Sequence, residues 1–382
     1  MKKNKNCCLC NSEMNLIWSI KNGVVPNLYL KEIKDEQKSE QNIFFCENCQ
    51  IIENVHNFSE KELFGNYVYR TPLTSMDDEI AIYLSAFIKE NGIKNIIEVA
   101  GNNGTFANKI LTLLKNENNL KYTIIDKVPL EYKDRRLSHI NRFLNKNDFN
   151  VNRNVSSELV IVRHALAHNE NVVNFFDDIH SILKPRWIYV ENASLNSTFA
   201  AKDYSQLYSE HFFALSAYFM KRLGMKFNYK ITDIHDFKIH NGSFGILLEK
   251  NKESDFHSNY PLITCEELSK SITDWIEEVK NFWLKIKEID KKIVVWGCSA
   301  KFLFAYSALE LESIKPVSYI IDSTPEKNSL FAPGTSIKVS SEDSLSFDDG
   351  FIFVIGARNF SDHIESKILK KFPNANIFCP PF

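Results

Sequence analysis

Residues 96–106 read IIEVAGNNGTF, and the reading of this stretch decides the fold. Glu98 lies inside a short apolar strand. A tight loop with Gly101 and Gly104 follows, and TFANKILTLLKN (105–116) then has the pattern of a helix. KYTIID is the next strand, and it ends on Asp126, 28 residues after Glu98. Working outward, DDEIAIYLSAFIKENG (77–92) is an amphipathic helix closed by Gly92. ELVIVRHALAH (158–168) begins as a strand, NVVNFFDDIHSILK (171–184) is a helix, and WIYVEN (187–192) is a strand. LYSEHFFALSAYFMKRLG (207–224) reads as one long helix. FNYKITDIHDF and SFGILLEK read as a closing antiparallel pair. Helices of this length between apolar strands predict an α/β fold with a mostly parallel sheet covered on both faces.

The pattern restarts farther on. KNKESDFHSNYP (250–261) reads as a linker and a long amphipathic helix follows over 266–289. KIVVWG, VSYIID, FIFVIG and NIFCP then alternate with helical SAKFLFAYSALEL and a helix over 359–371. This is a second, smaller α/β unit. The expected division is 1–70, 71–250 and 262–382.

Composition sets outer limits. Of 382 residues, 44% are hydrophobic and 25% charged, so collagen-like and wholly disordered classes are excluded. The net charge of −2 gives no global call for nucleic acid. No apolar run approaches the ~20 residues that span a bilayer, and no apolar segment follows the basic start MKKNK. A cytoplasmic protein without nucleic-acid or membrane partners is expected, and a monomer.

Five of the eight cysteines fall in the first 49 residues. Cys7-x-x-Cys10 and Cys46-x-x-Cys49 each let two thiolates reach one ion, and together they complete a closed four-sulfur zinc site. Such a site has no open position for water and is structural. Cys8 could replace Cys7 as a ligand. Between the pairs lie 35 residues, room for a small β insertion.

A loop like 100–104 lets a nucleoside ligand approach the backbone at the carboxyl edge of a parallel sheet, and Asp126 can accept from both ribose hydroxyls. Neither the dinucleotide nor the NTPase fingerprint fits. An S-adenosylmethionine (SAM) loop tolerates the pattern. His164 and His168 also fall at a strand's carboxyl end. Tyr208 and His211, spaced i,i+3 around Glu210, are read as sharing one helical face, and Tyr67 and Tyr69 alternate to one side of an extended segment.

In this order the pieces resemble the SAM-dependent C-methyltransferases of deoxysugar biosynthesis. The resemblance rests on the four cysteines, FGNYVYRT (64–71), EVAGNNGT (98–105), ALAH (165–168), DYSQLYSEHF (203–212), HNGSF (240–244), WGCSAK (296–301), and IIDSTPEK (320–327) with PGT (333–335). It implies a zinc domain, a class I methyltransferase domain and a C-terminal Rossmann-like domain. It also implies a nucleotide-diphosphate sugar as substrate and methylation of the carbon beside its ketone through an enolate. By the resemblance His211 is the base, Glu210 orients the sugar or the imidazole, and Tyr208 and His168 donate to the enolate oxygen or relay the proton. Tyr67 or Tyr69 closes the site. Glu98, Gly101, Asn102, Gly104, Asp126 and His168 would hold SAM. Gly297, Ser299, Lys301, Asp322 and Lys327 would hold the nucleotide diphosphate. Ala100, Asn103 and Ser209 depart from the family pattern, which leaves open a sugar O-methyltransferase or a non-catalytic sugar-nucleotide binder.

Overall fold

A computed structural model describes residues 4–65, 75–146, 157–237, 242–251, 260–343 and 350–382. Tyr67, Tyr69, the linker core 252–259, and His240 with Asn241 lie outside the described residues.

The N-terminal segment fills the gap between the cysteine pairs with an antiparallel meander, β1 (Asn15–Gly23), β2 (Ser39–Cys46) and β3 (Ile51–Val55). A short helix, α1 (Glu60–Phe64), follows behind a capping box of Ser59 and Glu62.

The central unit runs α2 (Ser75–Glu90), β4 (Asn95–Val99), α3 (Thr105–Leu113), β5 (Lys121–Ile125), β6 (Leu137–Ile140), β7 (Leu159–Arg163), α4 (Val172–Asp178), β8 (Trp187–Ala193), α5 (Leu195–Ala201), β9 (Phe213–Leu215), α6 (Ala217–Lys226), β10 (Tyr229–Phe237) and β11 (Ser243–Lys250). Its seven-stranded sheet has the order β6-β5-β4-β7-β8-β11-β10. Only β11 runs against the rest. Burial on both faces explains the unbroken apolar runs. Ile96, Ile124, Leu159 and Ile161 pack under α2 and α3 with Ile80, Leu84, Phe106 and Ile110. Their alternates Ile97, Val99, Val160 and Val162 pack on α4 and α6 with Phe176, Phe219 and Leu223. The chain leaves β4 in one direction and β7 in the other, so the ligand crevice opens at the carboxyl ends of these two neighbours.

The C-terminal unit begins with α7 (Cys265–Lys287), whose buried Leu268, Ile272, Trp275, Val279, Trp283 and Ile286 recur at helical spacing. Then come β12 (Lys292–Trp296), α8 (Ala300–Ala308), β13 (Tyr319–Ile321), β14 (Val339–Ser340), β15 (Phe351–Ile355), α9 (Ser361–Lys371) and β16 (Ile377–Phe378). They form a parallel sheet of order β14-β13-β12-β15-β16. One apolar core joins this unit to the N-terminal meander, with Ile20, Ile43 and Phe45 packed among Trp275, Phe302 and Phe304.

The expected long helix over 207–224 is not formed. Residues 213–215 are β9, which pairs antiparallel with β3 and completes the N-terminal sheet as β1-β2-β3-β9. The helix starts only at Ala217, where the Ser216 side chain accepts from Phe219 N as N-cap. Sheet pairing and the cap together overrule the apolar periodicity of the preceding residues. The N-terminal sheet thus borrows a strand from the central unit and crosses the boundary expected near residue 70.

Among the described residues, no helix is long and apolar enough to cross a membrane.

Candidate functional site

The turn from β4 into α3 is built on left-handed backbone. Ala100 has φ 59°, Asn102 φ 50° and Gly104 φ 84°. Ala100 stands where the resembled family carries glycine, and the left-handed conformation is held there despite the methyl group. Gly101 is needed for space: a Cβ would lie 3.0 Å from Glu98 Cδ and from Ile124 Cγ2. Glu98 thus supports the loop from below. Its Oε2 accepts from Tyr122 Oη at 2.9 Å, and burial pushes its carboxyl up to about 7. Asp126, at the end of β5, accepts the Asn102 amide at 2.8 Å through Oδ2 and the Val128 amide at 2.8 Å through Oδ1. A carboxylate offers about four lone-pair sites, so both oxygens can still accept from a ribose diol. Open backbone beside a helix start and an acid at the neighbouring strand end fit SAM.

Beside the loop, the ends of β7 and β8 carry a buried charged network that sequence reading left unassigned. Arg163 donates to Asp77 at 2.6 Å and to Glu191 at 2.6 Å, with its guanidinium 3.8 Å over the Phe106 ring. His164, at φ 50°, bonds Glu191 Oε1 through Nε2 at 2.7 Å. Burial alone would raise Glu191, but Arg163 and then His164 hold it down to about 2.

Three rings meet where the sequence placed the catalytic set. Tyr208 and His211 are 4.1 Å apart between centroids, and His211 and His168 are 4.7 Å apart. Phe64 of α1 packs edge-on against His168. Tyr208 and His211 do not share a helical face. They end a turn closed by His211 N donating to Tyr208 O at 2.9 Å. His211 Nδ1 is 2.7 Å from Gln206 O and His168 Nδ1 is 2.8 Å from Glu210 O. A carbonyl can only accept, so each Nδ1 carries a proton, and in the neutral ring Nε2 holds the lone pair. Burial pushes His168 down to about 4 and keeps it neutral.

Glu210 does not touch the imidazoles through its carboxyl. It meets the imidazole of His168 through its main-chain carbonyl. Its carboxyl turns toward the N-terminal segment, where it accepts from Asn27 N at 3.0 Å and from Ser209 Oγ at 3.0 Å. Burial pushes it up to about 7.

The four expected cysteines do converge. Cys7, Cys10, Cys46 and Cys49 place their sulfurs within 4.8 Å of one another. A tetrahedron of ~2.3 Å Zn–S bonds has edges of about 3.8 Å, and Cys10 Sγ to Cys46 Sγ is 3.6 Å. The donor set fits zinc. Cys8 lies outside this set and groups with Cys7 and Glu53.

In the C-terminal unit Gly297 has φ 92° and Ser299 caps α8 by accepting from Phe302 N. Asp322 accepts from Cys298 N at 2.7 Å, from Thr324 N at 2.9 Å and from Lys327 Nζ at 3.1 Å. Tyr29 Oη and Lys327 Nζ both donate to Cys298 O at 2.9 Å. Lys301 Nζ pairs with Asp203 Oδ2 at 2.7 Å. Both lysines expected at phosphate are thus in ion pairs within the chain.

Residues 241–376 match the family described as C-methyltransferase C-terminal domain. No curated protein matches the chain. Among solved structures, magnesium protoporphyrin IX methyltransferase from Synechocystis PCC 6803 with bound SAH is 11% identical over 48% of this chain and 91% of its own, at a TM-score of 0.36. The methyltransferase domain of bacterial CtHen1-C is 15% identical over 47% of this chain and 100% of its own, at 0.36. The 1,6-didemethyltoxoflavin-N1-methyltransferase of Burkholderia thailandensis, with bound 1,6-didemethyltoxoflavin and S-adenosylhomocysteine, is 11% identical over 48% and 94%, at 0.34. These likenesses add nothing to what the sheet order says. The sheet, with its single reversed strand, is that of class I methyltransferases. Together with the family match it defines a SAM-dependent methyltransferase.

Proposed function

We propose that the chain methylates the carbon beside the ketone of a nucleotide-linked keto-deoxysugar, with His211 as general base. The observation that carries this reading is the 2.7 Å contact of His211 Nδ1 with Gln206 O. Gln206 O holds the proton on Nδ1, so in the neutral ring Nε2 carries the lone pair that a base needs.

A carbon beside a ketone becomes a nucleophile only after losing a proton. His211 Nε2 takes that proton and leaves the electron pair in an enolate. Tyr208 Oη, on the adjoining ring, donates to the enolate oxygen. His168, neutral and tied to Glu210 O, orders the floor under His211. The 100–104 loop and Asp126 would hold SAM, which would supply an electrophilic methyl group there. The new C–C bond consumes the enolate pair, and His211 returns its proton to solvent. Cys7, Cys10, Cys46 and Cys49 would hold one structural zinc. The substrate's diphosphate is assigned to the crevice at Gly297–Ser299, where Lys301 and Lys327 would have to exchange Asp203 and Asp322 for phosphate.

The test is solvent exchange. Given a nucleotide keto-deoxysugar and S-adenosylhomocysteine in deuterated water, the protein should exchange the proton beside the ketone without methylation. His211→Asn should lose exchange and methylation, by about 10²–10⁴ in rate, while binding both ligands. A methyl group found on oxygen, without carbon exchange, would refute the enolate route.

A further inference from the structure

We propose that Asn54 and His56, on and just beyond the strand that leaves the second zinc knuckle, are positioning residues that set the Tyr208–His211 turn. The proposal rests on the assignment of His211 as base and explains what fixes it.

The turn has little regular structure of its own. Residues 207–212 lie between a short 3-10 turn over Tyr204–Gln206 and the three-residue strand β9. Its main-chain carbonyls are met from β3 and the residues beyond it. Asn54 Nδ2 donates to both Leu207 O and Tyr208 O, at 3.2 Å each, and Asn54 N donates to Phe212 O at 2.8 Å. His56 Nε2 donates to Ser209 O at 2.8 Å. Leu207, Tyr208, Ser209 and Phe212 are therefore held by two residues of one short segment. Glu210 is held from the same side by Asn27 N, and Ser209 Oγ by Val24 O.

Both side chains have little else to bond. Asn54 is 4% exposed, and its Oδ1 is buried with no partner. The His56 ring packs between Phe58 and Phe212 with Nδ1 buried and likewise unpartnered. A buried polar atom left unmatched costs free energy. The donor end of each residue is thus satisfied at the turn and the acceptor end is not. Phe212 extends the chain of contacts, because its amide donates to Ala167 O, the residue before His168. One grip therefore registers both histidines. Asn54 lies five residues beyond Cys49, so the four-thiol site anchors the strand that does the gripping.

Nitrogen-15 spectra of the His211 ring read this without any substrate. The full-length protein should show His211 as the Nδ1–H tautomer. In Asn54→Ala and His56→Phe the tautomers should mix, while zinc content and S-adenosylhomocysteine affinity stay at their original values. With a nucleotide keto-sugar, kcat and solvent exchange should fall together by about 10²-fold, with KM unchanged. His56→Gln, which keeps a donor near the same place, should restore both the tautomer and the rate. Should Asn54→Ala lose zinc, the His56→Phe and His56→Gln pair decides alone. An unchanged His211 tautomer in His56→Phe overturns the positioning role, whatever the substrate is. Tautomers that shift as expected, in a protein that methylates no keto-sugar, uphold the positioning and refute the substrate assignment.

Discussion

Cys298 N donates to Asp322 Oδ2 at 2.7 Å, and this contact repeats in the C-terminal unit the one that Asn102 makes with Asp126 at 2.8 Å. In each unit the acid ends the second strand and receives an amide from the turn after the first. Each acid also closes a turn onto the amide two residues on, Val128 in one and Thr324 in the other. The surroundings differ. Cys298 O is already bonded by Tyr29 and Lys327, whereas the 100–104 turn faces the crevice of the larger sheet.

The two acids should therefore separate in cofactor binding. Removing a carboxylate that bonds a buried diol costs ~1.5–3 kcal/mol. Asp126→Ala should weaken SAM ten-fold or more on that figure, and Asp322→Ala should leave it unchanged. Calorimetry on both variants checks this. Equal losses would mean that the cofactor site has been put in the wrong unit.

The metal assignment makes a sharper distinction among thiols. Cys8 lies beside Cys7 but outside the set of four. Elemental analysis should find about one zinc per chain. Cys46→Ser should lose it and loosen the N-terminal sheet, since structural zinc is coupled to folding. Cys8→Ser should keep it. Zinc lost from Cys8→Ser and retained by Cys7→Ser would exchange the two ligands.

His168 predicts a pH dependence. Its pKa falls from 6.5 unfolded to about 4 folded because burial penalises the charged ring. The unfolded chain then binds the extra proton between those values. Stability from this group is full above pH 6.5 and is lost as the pH falls toward 4. Between pH 7 and pH 5 the loss is about 2 kcal/mol. His168→Asn should remove that slope, so urea denaturation should show the variant closing on the original protein as the pH falls. A constant gap between pH 7 and pH 5 would contradict the neutral ring.

The sequence made the two α/β units legible because buried strands and amphipathic helices leave periodic signals that need no tertiary context. IIEV, KYTII, LVIVR and KIVVW are strands where they were expected. The cysteine pairs were legible because ligand spacing is local. The Tyr208–His211 turn was misread as helix because its conformation is set by Asn54, more than 150 residues earlier. No local pattern encodes that, although Ser216 followed by an apolar run was an available start signal for the true helix. Arg163, Asp77 and Glu191 were missed for a similar reason. Each is an ordinary charged residue in the sequence, and only the pairing of β7 with β8 and the packing of α2 bring them together.

Lys301 tests how the units are joined. Its ammonium, on α8, pairs with Asp203 after α5, and the side chains are 17% and 1% exposed. Breaking one member of a buried pair strands the other charge and costs about 3 kcal/mol or more. Replacing both with neutral residues is often nearly neutral, because no charge is left unmatched. Lys301→Met should thus lower Tm by several degrees, and adding Asp203→Asn should recover most of the loss. The coupling is read from the double-mutant cycle. Strictly additive losses would show that the pair does not join the two units. Lys301→Met that keeps its Tm but loses sugar-nucleotide affinity would return this lysine to the phosphate and leave Asp203 to other partners.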